Sequence, residues 1–252
     1  LNVGKNIIAI HALNTTLGSS DFSIDAELRT PDTGGVSGIP TPAAANSVFA
    51  ANAPPQTRQV KHEPEQPSAN VPVRVSAKVS DPDEVASVTL FYQPVRPGNY
   101  IRKTDSAFEQ GWTELPMADS AADDSVFSAM IPRSVQGHRT LVRYRIRVED
   151  KLGNAVTLPY ADDEQPNFAY FCYNGVPAWT GSNRINGKKE TFPSSVMSSL
   201  PAYHLIANSI DVTNSQYNSS FDTVHFNGTL VYDGTVYDHI EFRNRGEFST
   251  YV

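Results

Sequence analysis

The stretch Val71-Pro72-Val73-Arg74-Val75-Ser76-Ala77-Lys78-Val79-Ser80 decides the fold. Val71, Val73, Val75, Ala77 and Val79 alternate with Pro72, Arg74, Ser76, Lys78 and Ser80. That period of two places one face of an extended strand on a core and the other toward water. Asp81-Pro82-Asp83 then breaks the run. The same alternation returns through Ala86, Val88, Leu90 and Tyr92, through Phe127, Ala129 and Ile131, and through Val142, Tyr144, Ile146 and Val148. Further strand candidates stand at Arg58–His62, Trp112–Pro116, Asn154–Leu158 and Phe168–Tyr173. Short strands at this density over roughly 115 residues predict an immunoglobulin-like sandwich across residues 58–174. With Cys172 as the sole cysteine, it would be the disulfide-free, fibronectin-III-like kind.

Composition agrees with a mainly β chain. The 252 residues are enough for one or two domains with a real core. Fifteen Gly, 18 Pro and 25 aromatic residues favour short strands and turns over long helices. Lys and Arg number 20 against 27 Asp and Glu, a net charge of −7. No overall positive field gathers phosphate backbones, which excludes generic nucleic-acid binding. The longest apolar run, Ile7–Leu13, is far short of the roughly 20 residues a membrane helix needs, so this stretch contains no membrane span. Cys172 lies in the aromatic run Phe168–Tyr173 and reads as a small buried hydrophobe; scarcity of cysteine fits an exported bacterial protein.

Outside the sandwich the texture changes twice. Asn6–Leu13 and Asp21–Arg29 are strand candidates, and residues 1–30 are read as the last strands of a preceding β-sandwich. Residues 31–57 carry Pro31, Gly34, Gly35, Pro40, Pro42 and Pro54-Pro55 with almost no apolar period, the composition of a linker. Beyond Tyr173 come a loop-like segment, a short apolar run at Ala202–Ala207 and a helix starting at Asn208 or Ser209. A hairpin follows. Thr229–Tyr232 and Val236–Phe242 flank Asp233-Gly234, which supplies the positive φ angles of a type I′ turn. On the second strand Val236, Ile240 and Phe242 share a face with Asp238. Residues 175–252 read as the opening of a separate α+β domain, and both chain ends read as cuts within a longer polypeptide. An unfinished sheet of this kind is expected to be mobile or to self-associate through its unpaired edge.

Few residue patterns carry chemistry. The six histidines show no spacing that pairs two ligands on one helix face or turn. No Gly-x-Ser-x-Gly elbow, phosphate-cradling loop or dinucleotide fingerprint is present. Asp81-Pro82-Asp83-Glu84 and Asp162-Asp163-Glu164 admit two readings, side-chain-capped turns or oxygen ligands for Ca²⁺ at one end of the sandwich. Arg143, Arg145 and Arg147 are expected to form an outward, solvated stripe. Arg243-Asn244-Arg245-Gly246-Glu247-Phe248-Ser249 leaves a strand with guanidinium and backbone donors that can meet an anion such as phosphate, or can be a basic surface turn.

Gly228–Gly246, preceded by Leu200-Pro201-Ala202-Tyr203-His204-Leu205-Ile206, resembles the opening of the CotH kinase domain, named for a bacterial spore coat protein. In that family a strand pair ends in an Arg-Gly-Asn-Ser-Ser-like loop; here Arg245-Gly246 and Ser249 keep the pattern while Glu247 and Phe248 depart from it. The layout of sandwich, Val176-Pro177-Ala178-Trp179-Thr180-Gly181 and hairpin also resembles large exported multidomain proteins carrying that domain, in which residues 1–30 would correspond to a carbohydrate-binding-like module. The resemblance implies a secreted or cell-surface, ATP-dependent atypical protein kinase acting on Ser or Thr of surface or coat proteins, with Mg²⁺ held by acidic residues. It implies Arg245, Gly246 and Ser249 as nucleotide-proximal positions. The family's strand lysine and metal-binding aspartates match no residue here, so no catalytic or metal-ligating residue is assigned, no cofactor belongs to this stretch itself, and the stretch is expected to be inactive alone. A protein substrate or cell-surface component is the implied partner. The contrasting expectation is a non-catalytic adhesive or glycan-binding array of β-modules, with Trp112 and Trp179 stacking on sugars.

Overall fold

The computed structural model describes residues 52–120, 123–182, 187–217 and 224–243. The strand candidates within residues 1–30, most of the linker 31–57, and Arg245, Gly246 and Ser249 lie outside them. The described residues belong to one compact unit, Asn52–Val252. They form β1 (Gln56–Glu63), β2 (Val73–Ser80), β3 (Val85–Val95), α1 (Ser106–Gln110), β4 (Thr113–Pro116), β5 (Ala118–Ser120), β6 (Asp123–Ile131), β7 (Leu141–Asp150), β8 (Ala155–Leu158) and β9 (Phe168–Phe171). There follow β10 (Trp179–Gly181), β11 (Glu190–Phe192), α2 (Ser194–Met197), β12 (Tyr203–Ala207), α3 (Ser209–Tyr217), β13 (Phe226–Tyr232) and β14 (Thr235–Phe242).

The architecture is mainly β and antiparallel. One sheet runs β1-β2-β6-β5; a second runs β4-β3-β7-β8, with β9 also paired to β7. Their facing sides share one core, in which Val73, Val75, Leu90, Ile131, Ile146 and Val148 are wholly buried. Burying each such side chain contributes about 1.5–3 kcal/mol, so the period-two positions of the sequence are what close this sandwich. At the β1 edge, Gln59 and Val60 stand opposite Ala77 alone, and Gln59 adopts φ +52°. This bulge kinks the strand and discourages edge-to-edge pairing.

A third layer covers the far side of the second sheet. Strands β12, β13 and β14 form their own antiparallel sheet, joined at Asp233 (φ +48°) and Gly234 (φ +78°) by the turn expected from Asp-Gly. Its inner side carries His204, Ile206, Thr229, Val231, Val236 and Asp238. Val231 is fully buried in a second cluster with Val95, Tyr100, Leu141 and Phe171, and Ile206 and Val236 pack against that cluster. The second sheet is therefore apolar on both faces. Its β9, Phe-Ala-Tyr-Phe, is the one strand whose sequence shows this, because both alternating sets are large or apolar.

Candidate functional site

The seam between β7 and β14 holds the densest polar chemistry among the described residues. Two residues of β14, Asp238 and His239, stand opposite Thr229 alone, and His239 has φ +53°. This bulge turns both side chains inward, where regular alternation would send the second outward. Asp238 is 4% exposed and meets Arg143, which is wholly buried. Arg143 donates from Nε to Asp238 Oδ2 at 2.7 Å and from Nη2 to Oδ1 at 3.0 Å, a bidentate pair. Its Nη1 donates to the Ile101 carbonyl at 2.8 Å. The carboxylate also accepts from Thr229 Oγ1, from Asn167 Nδ2 at 3.0 Å and from the His239 amide at 2.9 Å. His239 Nε2 in turn donates to Asn167 Oδ1 at 2.8 Å.

Arg143 thus does not belong to a solvated stripe. The expectation assumed water outside the second sheet, but α1 and the three-stranded sheet stand there instead. Phe108 of α1 is 2% exposed and lies under both guanidiniums, 5.4 Å from Arg143 and 4.9 Å from Arg145. Arg145 also stacks on Trp112 at 4.3 Å and donates to the Pro166 carbonyl. Arg147 alone behaves as expected: it is exposed and pairs with Glu149 at 3.2 Å.

The charges at the seam hold one another in place. Burial by itself would raise the Asp238 carboxyl, but the bonded guanidinium of Arg143 outweighs it and holds the group down at about 2. For His239, burial lowers the imidazole and Asp238 raises it; Arg143, Lys103 and Arg145 push it down again, leaving it at about 4. At neutral pH the seam is a carboxylate, a guanidinium and a neutral imidazole. Because each polar atom of Asp238 and Asn167 already has a partner, this knot fixes two layers together.

Beside the knot a cleft of about 690 Å³ opens between β1, β9 and β14. In its wall His62 accepts from Tyr144 Oη at 3.1 Å and donates from Nε2 to the Glu65 carbonyl at 3.0 Å. The imidazole lies 5.1 Å from the Tyr170 ring, and burial lowers its pKa.

Other residues singled out from sequence are also accounted for. Asp81 Oδ1 accepts from the Asp83 amide at 2.8 Å and Asp163 Oδ2 from the Tyr160 amide at 2.7 Å, the bonds of capped turns. Among the described residues no three His, Cys, Asp or Glu side chains come together to hold a metal ion. Cys172 is fully buried, its Sγ donates to Gln136 Oε1 at 2.9 Å, and burial pushes the thiol up to about 12. Trp112 is occupied by Arg145, whereas Trp179 is 48% exposed and stacks with Phe192 across the β10–β11 ribbon. Its indole lies so close over Gly181 that a Cβ there would sit 2.1 Å from the ring. Among the described residues no helix is long and apolar enough to cross a membrane. The searches of protein-family models and of curated proteins returned no match for this chain.

Proposed function

We propose that this chain is the accessory region and first strands of a secreted, CotH-like atypical protein kinase, in which an immunoglobulin-like sandwich is the rigid mount for the opening sheet of the phosphotransfer domain. The observation that carries this reading is the seam. The strand pair that carries the resemblance is bolted to the sandwich by the buried Arg143–Asp238 pair and by Val231 in a shared core. In the kinase, ATP with Mg²⁺ would supply the phosphoryl group. In this reading the described residues act as the scaffold of that domain.

The test is phosphate incorporation from radiolabelled ATP and Mg²⁺ by the native full-length protein carrying this sequence, isolated with an antibody to residues 58–173. The reading expects transfer to Ser or Thr of a surface protein or of itself. A native protein that neither binds ATP nor transfers phosphate would overturn it.

A further inference from the structure

The cleft beside the seam has a closed floor and an open rim. On the floor, both nitrogens of His62, the hydroxyl of Tyr144 and the amide of Asn167 are hydrogen-bonded within the protein. Around the rim, the Glu65 carboxylate, the Gln165 amide and the Tyr237 hydroxyl are exposed and make no side-chain hydrogen bond among the described residues. The Tyr237 ring is 50% exposed, and Phe168, half-buried with its ring stacked on Tyr144 at 5.2 Å, lines the same space.

We propose that this cleft binds an uncharged oligosaccharide, held by stacking on Tyr237, with Phe168 as apolar lining, and by hydrogen bonds to Gln165 and Glu65. Three observations converge on that class. Planar amide and carboxylate groups can each engage vicinal hydroxyls, and an aromatic face meets the axial C–H groups of a pyranose. Charge excludes anions: Glu63 and Glu65 line the cleft, and its one lysine, Lys61, is held by Glu63 at 2.9 Å. Size fits, since clefts of about 300–1,000 Å³ take small ligands. An extended peptide inserted between β9 and β14 does not fit. β9 and β14 approach within 8 Å, whereas inserting a strand between them needs about 9.6 Å, twice the interstrand spacing. The assignment is independent of the kinase reading, which it would neither require nor weaken.

Isothermal titration of the 252-residue chain with cellotetraose, chitotetraose, xylotetraose and maltotetraose, and with tetragalacturonate as the anionic probe, tests it. At least one neutral tetrasaccharide should bind with a Kd of about 0.1–1 mM, and tetragalacturonate should not. Tyr237→Ala and Gln165→Ala should each weaken binding about tenfold or more, Tyr237→Phe by less, and Trp179→Ala, which is not among the lining residues, should leave it unchanged. Both main variants change exposed side chains, and an unaltered far-UV spectrum would show that the fold is kept. The proposal is overturned if no neutral probe binds at about 10 mM, if the two variants bind like the parent, if Trp179→Ala alone abolishes binding, or if tetragalacturonate binds equally well.

Discussion

Asp238→Ala is the most informative single change in this protein. The carboxylate is 4% exposed and accepts from Arg143 twice, from Thr229, from Asn167 and from the His239 amide. Removing it leaves Arg143, wholly buried, with only Ile101 and Gln93 as acceptors. An uncompensated buried charge of this kind costs about 3–5 kcal/mol. Against a total stability of about 5–15 kcal/mol, that is a large share. With a urea slope of roughly 2 kcal/mol per molar, the midpoint should fall by about 1.5–2.5 M. Urea titration followed by Trp fluorescence and far-UV circular dichroism reads this directly. Arg143→Met together with Asp238→Ala should cost less than the sum of the single changes by about 2 kcal/mol, since no charge is then stranded. A midpoint for Asp238→Ala within about 0.3 M of the parent, or an additive cycle, would mean that Arg143 is not held by this carboxylate.

Four further outcomes follow from the same geometry. Acid should destabilise the protein in two stages: His239, depressed to about 4, withdraws stability as pH falls from its ordinary value near 6.5 toward 4, and Asp238, held at about 2, withdraws roughly 2–3 kcal/mol more between pH 4 and 2. His239→Gln should flatten the upper stage, and thermal melts between pH 7 and 4 that do not differ between the two proteins would contradict this. Cys172 should ignore a thiol reagent at pH 8 in the native state and react at once in denaturant, because it is fully buried with its thiol raised to about 12; rapid native labelling would contradict that burial. Gly181→Val should lift the Trp179 indole off the ribbon and red-shift its emission, since a Cβ would lie 2.1 Å from the ring, and an unchanged spectrum would argue against that packing. Arg145→Ala should cost about 1–2 kcal/mol through the lost stacking on Phe108 and Trp112, with no change in the urea slope; a loss below about 0.3 kcal/mol would mean the stack is only a surface contact.

The sandwich was legible because its information is local. Val73 to Val79 and Val142 to Val148 carry their burial in a period of two, and Asp233-Gly234 names its turn by the backbone angles it permits. The start of α3 at Ser209 was equally readable. The seam was hidden for a physical reason. Arg143 occupies an outward position of β7, and periodicity cannot say whether water or another layer lies beyond a face. Its partner is 95 residues away, and the bulge that turns His239 inward breaks the alternation that would otherwise place it. One signal did exist: the two-sided apolar character of β9 required cover on both faces. Asp238, two residues from Val236 on its predicted inward face, was the matching clue on the other side; Ile240 and Phe242, expected on that same face, stand opposite Gly228 and Phe226 on the outer one, because the bulge shifts the alternation by one residue. The short elements α1, β5 and β10–β11 have too few residues for any period to be detected.

Native-state hydrogen exchange on the 252-residue chain reads directly whether the sandwich and the three-stranded sheet are one cooperative body. The most protected amides of β13 and β14 should open with the same free energy as those of β3 and β7, and Asp238→Ala should lower both together. Amides across Val236–Phe242 that exchange with opening free energies near zero, while β7 stays protected at the global value, would contradict a single cooperative body.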